Sequence, residues 1–319
     1  MLPTRPMLPP TPPLSRRRWL RWSAVSVLPL AGACGSPLPL LPLWQDAAAA
    51  GPSASSVAAR ARLLATANAH GLAAYRGIND INIAYDGIWR PLIDGVQPQV
   101  VDAGYRGASE ERLLPRLGLN AQAYRGPRGR KHVAWQRDGS TATATVGVWY
   151  DGQASSDAGS RQAAALVADV YGLFLLGPLW LATRSSFDSL PMQMSGTERV
   201  DGHLCDAVDV ALRPGFGFSA YDRLTLCIDR DDAVTRRLRL TLEGYEGTRG
   251  AVAQVDHFEH RQLFGVLWPV RSFEEVVHPI RLPAHDWHVT GLDVNRGYGA
   301  EALVGAGFSG AALRPATPI

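Results

Sequence analysis

The sequence predicts a mainly β chain with a few helices, its strands running as an antiparallel meander behind an N-terminal export signal. Three observations predict it. After Ile78, apolar and polar residues alternate through most of the chain, the period of a strand with one buried face. Gly and Pro turn sites recur at roughly the 8–12-residue spacing of a meander. One long stretch, Ser160 to Leu181, breaks the alternation, and its composition is helical.

Residues 1–33 carry five arginines, no acids and an apolar run from Ser23 to Ala33, the n-region and h-region of a secretory signal. The run is too short for an ordinary membrane helix. Ser15-Arg16-Arg17-Arg18-Trp19-Leu20 resembles a twin-arginine signal, and Leu30-Ala31-Gly32-Ala33-Cys34 resembles a bacterial lipobox. Cys34 is therefore the expected lipidation site, giving a membrane anchor at the N-terminus. Plain cleavage near Ala33, releasing a soluble protein, is the alternative. Removing this segment changes the charge balance. The whole chain is +3 and the segment holds five of the arginines, so the remainder is near −2. The basic character belongs to the leader, and the rest lacks the basic stripe of a nucleic-acid binder.

Residues 34–56 are rich in Pro, Leu, Ala and Ser and read as a tether. From Val57 to Tyr75, Ala, Arg and Leu dominate, a helical composition that Gly71 weakens and Gly77 ends. Strands are expected at Ile78–Asp86, Gln99–Arg106, Glu111–Leu117, Ala121–Arg125, His132–Arg137 and Thr141–Tyr150. Within Ser160–Leu181, the half from Leu173 onward is apolar on every side. It reads as a plug in the core, a lid over a cavity, or a superficial membrane contact. Strands resume after Pro191 and continue through Val234–Tyr245, Ala253–Gln262, Val270–His278 and Trp287–Asn295. The domain is expected over 57–298, with 299–319 a loosely held tail.

The central hairpin is the best-defined unit. Leu204, Val208, Val210 and Leu212 share one parity, as do Leu224, Leu226 and Ile228, with Asp206 the exception, and a turn holding Pro214, Gly215 and Gly217 joins the two runs. If Leu204 faces Ile228, then Cys205 faces Cys227, close enough for a disulfide at a non-hydrogen-bonded pair. Two free thiols are the alternative. An oxidising compartment, which the export signal implies, favours the bond.

Signatures of catalysis are missing from the sequence. Gly307–Ala311 only approaches a nucleophile elbow, and neither a phosphate loop nor a dinucleotide fingerprint occurs. No cofactor is expected. His257 and His260 have opposite parity, so they should face opposite sides of one strand. His285 and His288, in an expected loop, could turn toward one ion, but exposed histidines explain them as well, and no metal site is assigned.

The second half runs Val200-Asp201-Gly202-His203-Leu204-Cys205, then Leu226-Cys227-Ile228-Asp229, then Asp256-His257-Phe258 and Phe264-Gly265-Val266-Leu267-Trp268-Pro269. The first half opens on Ala69-His70-Gly71-Leu72. In their order these segments resemble the lipoprotein-carrier (LolA-like) superfamily of cell-envelope proteins, and in particular an uncharacterised bacterial branch, over Val57 to Arg296. The resemblance implies an unclosed, strongly curved antiparallel β half-barrel with helices covering its concave face. It further implies a lipid or lipoprotein acyl chain as the partner. With the strand parities, it makes Val208, Val210, Leu224, Leu226 and Leu240 the apolar wall and Phe174, Leu175 and Trp180 the cover of a hydrophobic binding site. Two functions follow: an exported, non-enzymatic envelope lipoprotein that binds a hydrophobic ligand, or a structural or regulatory one whose core is filled. An apolar cavity beneath Leu173–Leu181 would favour the first.

Overall fold

The computed structural model describes residues 53–137, 144–304 and 317–319. The export signal, Cys34, most of the tether and Gly307–Ala311 lie outside these residues.

The described chain opens in α1 (Ala54–Ala69), so this helix begins inside the stretch expected to be tether. Ser53 sets the start: its hydroxyl accepts the Ser56 N–H at 3.1 Å, an N-cap. Ala59, Leu63 and Ala67, spaced four apart, form the buried stripe. Gly71 then breaks the helix at φ 90°, and α2 (Leu72–Tyr75) follows. Only glycine fits there, because a Cβ would sit 2.2 Å from the Gly265 carbonyl oxygen.

Thirteen strands form one antiparallel sheet among the described residues. The first group is β1 (Ile81–Trp89), β2 (Ala108–Leu114), β3 (Leu119–Gly126), β4 (Gly129–Gln136), β5 (Thr145–Tyr150) and β6 (Gln153–Ala154). Between β1 and β2 lie the short helices α3 (Pro91–Val96) and α4 (Pro98–Val101). The strand expected at Gln99–Arg106 is therefore helix and turn. Pro98 occupies the first helical turn, where its missing N–H costs nothing, and Asp102 leaves the helix at φ 47°.

After α5 (Ala158–Leu176) and α6 (Pro178–Ala182), the second group is β7 (Met192–Val200), β8 (His203–Leu212), β9 (Asp222–Asp229), β10 (Thr235–Thr241), β11 (Val252–Leu263), β12 (Val266–His278) and β13 (Leu282–Val294). Strand β1 pairs with β13 and joins the two groups, leaving β6 and β7 as the two edges. The sheet is unclosed, and α5–α6 is the connection that carries the chain from one edge to the other.

The sheet is also curved. From β4 to β9 there are eight inter-strand steps, about 38 Å if the sheet were flat at roughly 4.8 Å per step. Yet Arg137, next to β4, donates from Nη2 to the carbonyl of Gly217, in the loop before β9, at 2.7 Å. Asp169 of α5 ties the same two places: Oδ1 accepts from Trp135 Nε1 at 2.6 Å, and Oδ2 accepts from the Gly217 N–H at 2.7 Å and from Arg137 Nη2. The sheet wraps around α5, which fills its concave face.

The central hairpin is present as β8 and β9, but its register differs from expectation by two residues. Ile228 faces Asp206, Cys205 faces Asp229, and Cys227 faces Ala207. Leu204 is not interior; it begins the strand 37% exposed. Asp206 takes the position facing Ile228 because Arg62 of α1 reaches it, Nε to Oδ2 at 3.1 Å. The expected disulfide falls with that register. Cys205 and Cys227 become diagonal neighbours, a separation too wide for an unstrained S–S bond, and both are buried free thiols. Burial raises both thiol pKa values, that of Cys205 to about 11, and the Cys227 thiol donates to Glu198 at 3.1 Å. Neither sulfur is a ready thiolate.

The tail is also tied down where it is described. Leu303 is fully buried against Leu114 and Leu119, and Pro318 bridges to Gly291.

Candidate functional site

None of the eight residues expected to form the ligand site lines the cavity described below. Val208, Val210, Leu224, Leu226, Leu240, Phe174 and Leu175 are buried in one packed core, and half-buried Trp180 lies against it, stacked on Phe216. Of the three readings of Leu173–Leu181, the plug agrees with the burial: Leu173, Phe174, Leu175, Leu176, Leu179 and Leu181 are all buried in the packed core.

A cavity of about 280 Å³ lies instead under the middle of α5. Leu166, Val167, Val170 and Tyr171 form its roof, α3 and α4 one wall through Ile93 and Val101, and β12–β13 the other through Val276, Leu282 and Ala284. The loop after β10 closes the perimeter with Leu242, Gly247 and Ala251. Val96 and Ile280, 57% and 61% exposed, mark the mouth, where Arg249 is also exposed. The lining is apolar apart from a few groups, the pattern of a small-molecule pocket slightly below the usual size range.

The exceptions are concentrated at the inner end. Arg106, 3% exposed, lines the cavity together with Glu274 and Tyr171. Its guanidinium stands over three rings, 4.7 Å from the centroid of Trp89, 5.1 Å from Tyr124 and 5.0 Å from Tyr171. Nη1 donates to the Val100 carbonyl at 2.5 Å, while Nε has no hydrogen-bond partner. Burial opposes the charge, but Tyr124, Tyr171, Glu274 and Glu111 outweigh it, so the guanidinium pKa stands above its ordinary value.

Strand register assembles the rest. Glu274 of β12 faces His285 of β13, which faces Trp89 of β1. The His285 ring stacks on Trp89 at 4.0 Å, and its Nδ1 lies 2.6 Å from the Tyr171 hydroxyl. Burial holds this histidine well below its usual pKa, so it is neutral. On the neighbouring strands, Tyr85 and Tyr124 both face Ser109, and Glu111 faces Gln122. Burial pushes both carboxyls, Glu111 and Glu274, up to about 7. Glu274 is half-buried as a residue, yet its Oε2 is shut off from solvent and unpartnered. An apolar chamber thus ends in a buried cation, a carboxyl that gains its proton near neutrality, and a spare donor and acceptor.

The histidines are arranged differently from expectation. His285 and His288 lie on one strand, the first buried and the second exposed, so they do not converge. His257 and His260 do come together, their rings 6.0 Å apart, because a β-bulge at Glu259 turns both inward against His70. Burial lowers all three pKa values, those of His70 and His260 to about 4 and about 3. Among the described residues, no group of three His, Cys, Asp or Glu side chains is placed to hold a metal ion, and no helix is long and apolar enough to cross a membrane.

Sequence reasoning did not single out Arg106, Glu111 or Glu274. One signal was present: Glu111 shares the parity of Leu113 in β2, an acid on the interior face. Arg106 could not be found by periodicity, since it sits in a turn after a helix.

No family model matches the chain, and no curated protein matches it. Among solved structures it is similar to a DUF1329 family protein from Desulfovibrio piger, with 11% identity, 78% of this chain and 98% of that one covered, and a TM-score of 0.46. It is similar to a LolA superfamily protein from Nitrosomonas europaea, with 9% identity, 77% and 97% coverage and a TM-score of 0.39. It is also similar to the Mycobacterium tuberculosis lipoprotein LppX, with 12% identity, 77% and 99% coverage and a TM-score of 0.27.

Proposed function

We propose that this chain is an exported, lipid-anchored envelope protein that binds a hydrophobic chain, without catalysis, in the cavity under the middle of α5. The cavity itself carries the reading: an apolar space that the packed core leaves open beside α5, with exposed apolar residues at its mouth. An alkyl chain burying about 200 Å² there would gain about 5 kcal/mol before the cost of association. Phe174, Leu175 and Trp180 do not line this cavity, so the binding expectation moves from them to the cavity walls.

Calorimetric titration of decanol tests the binding half. Ala251 is half-buried where the cavity meets the core, and Ala251→Trp should weaken decanol at least about tenfold by occupying the space. An unchanged affinity in this variant sinks the cavity as the binding site. The anchor half rests on Leu30–Cys34. Cys34→Ala should shift the protein from the membrane to the soluble fraction of cells, and continued sedimentation with membranes would count against the lipid anchor.

A further inference from the structure

The inner end of the cavity is more elaborate than an alkyl chain needs. A wholly apolar ligand gains nothing from a buried guanidinium, and an arginine enclosed in an apolar chamber is costly unless something uses its charge. Arg106 has three aromatic faces, one backbone carbonyl and the carboxyls of Glu111 and Glu274 as neighbours, and a free Nε–H. Glu274, on the same wall, has a free oxygen.

Resting on the cavity reading above, we propose that the ligand is a single-chain carboxylic acid bound head inward, its carboxylate held between the Arg106 guanidinium and the Glu274 carboxyl. Arg106 donates to the ligand's carboxylate, a charge-assisted bond in a low-dielectric site. Glu274 donates a second hydrogen bond when it is protonated and repels the ligand when it is not. The chain then extends along Val167, Val170 and Val276 toward the mouth. The reverse orientation would put the carboxylate at exposed Arg249, where water screens the attraction.

The charged and titratable groups around the head are Tyr85 on β1, Arg106 itself, Glu111 on β2, Tyr124 on β3, Tyr171 on α5, Glu274 on β12 and His285 on β13, and behind them Lys131 on β4, paired with Asp102 at 2.6 Å. Burial keeps His285 neutral and the tyrosines protonated through neutrality, so Glu274 and Glu111, both near 7, are the groups that titrate. Each is protonated below that value and ionised above it. Carboxylate binding is therefore strongest on the acidic side and fades as pH rises through 7.

Titrations of decanoate and decanol into the mature protein at pH 6 and pH 9 test this. Decanoate should bind the wild type on the order of tenfold more tightly than decanol at pH 6 and lose most of that advantage at pH 9. Arg106→Gln should abolish the preference while decanol still binds, Arg249→Gln should leave it intact, and Glu274→Gln should keep it at pH 6 and flatten its fall with pH. Equal affinity for the two probes in the wild type overturns the head-group assignment and leaves the cavity reading standing. Loss of the preference in Arg249→Gln rather than Arg106→Gln overturns the inward orientation. A pH profile unchanged in Glu274→Gln overturns the part given to that carboxyl, and binding of neither probe defeats the cavity reading as well. Should Arg106→Gln not fold, the wild-type preference and its pH profile still decide.

Discussion

Asp169→Ala is expected to destabilise the protein by about 3–5 kcal/mol, the usual cost of stripping a buried charge of its partner. Its carboxylate receives the Trp135 indole N–H, the Gly217 backbone N–H and Arg137. Burial pushes the Asp169 carboxyl up, and the Arg137 charge pulls it back. Without it, the Arg137 guanidinium is left buried with only the Gly215 and Gly217 carbonyls, and the Gly217 N–H has lost its acceptor. Urea unfolding measures the effect. A double-mutant cycle with Arg137→Ala should give an interaction term of at least about 1 kcal/mol; additive losses would show that the two side chains do not act together across the sheet.

Phe174→Ala should cost a similar amount, about 3–5 kcal/mol. Phe174 is 2% exposed, lies 5.8 Å from the Trp287 ring and 5.5 Å from Tyr171, and belongs to the packed half of the concave face. Its removal leaves a void among neighbours already fixed by strand pairing. Decanol affinity, measured at a temperature where the variant remains folded, should change less than about threefold, because Phe174 does not itself line the cavity and meets it only through Tyr171 at its inner end. A small loss of stability together with a large loss of decanol binding would return the ligand site to the α6 end.

Much of the fold was legible because its signals are local. Alternation and turn residues mark β8–β9 and β10, and Gly71 marks the end of α1. What failed depended on partners far away in sequence. The β8–β9 register looked settled by leucines and cysteines together, but Leu204 is exposed and Asp206 is interior, a choice made by Arg62 on a distant helix. Parity put His257 and His260 on opposite faces until a bulge at Glu259 cancelled it. Arg106 and Glu111 are close in sequence, but nothing in the sequence places Glu274 of β12 beside them. The apolar run Leu173–Leu181 was visible, but whether it plugs or covers depends on volumes that only packing reveals.

The pairing of β1 with β13 brings Ile81 opposite Val294, so the central seam of the sheet joins nearly opposite ends of the folded chain. Such a seam closes late: the entropy of closing so long a loop is lost before any contact across it is gained, which makes folding slow. Until it closes, β1 and β13 each present an open hydrogen-bonding edge, and two nascent molecules can pair there as readily as one. A chain threaded unfolded through a membrane would expose both edges on the far side with its C-terminus arriving last. Folding first and crossing afterwards would remove that hazard, the order of events expected if Ser15–Leu20 is the twin-arginine signal that it resembles.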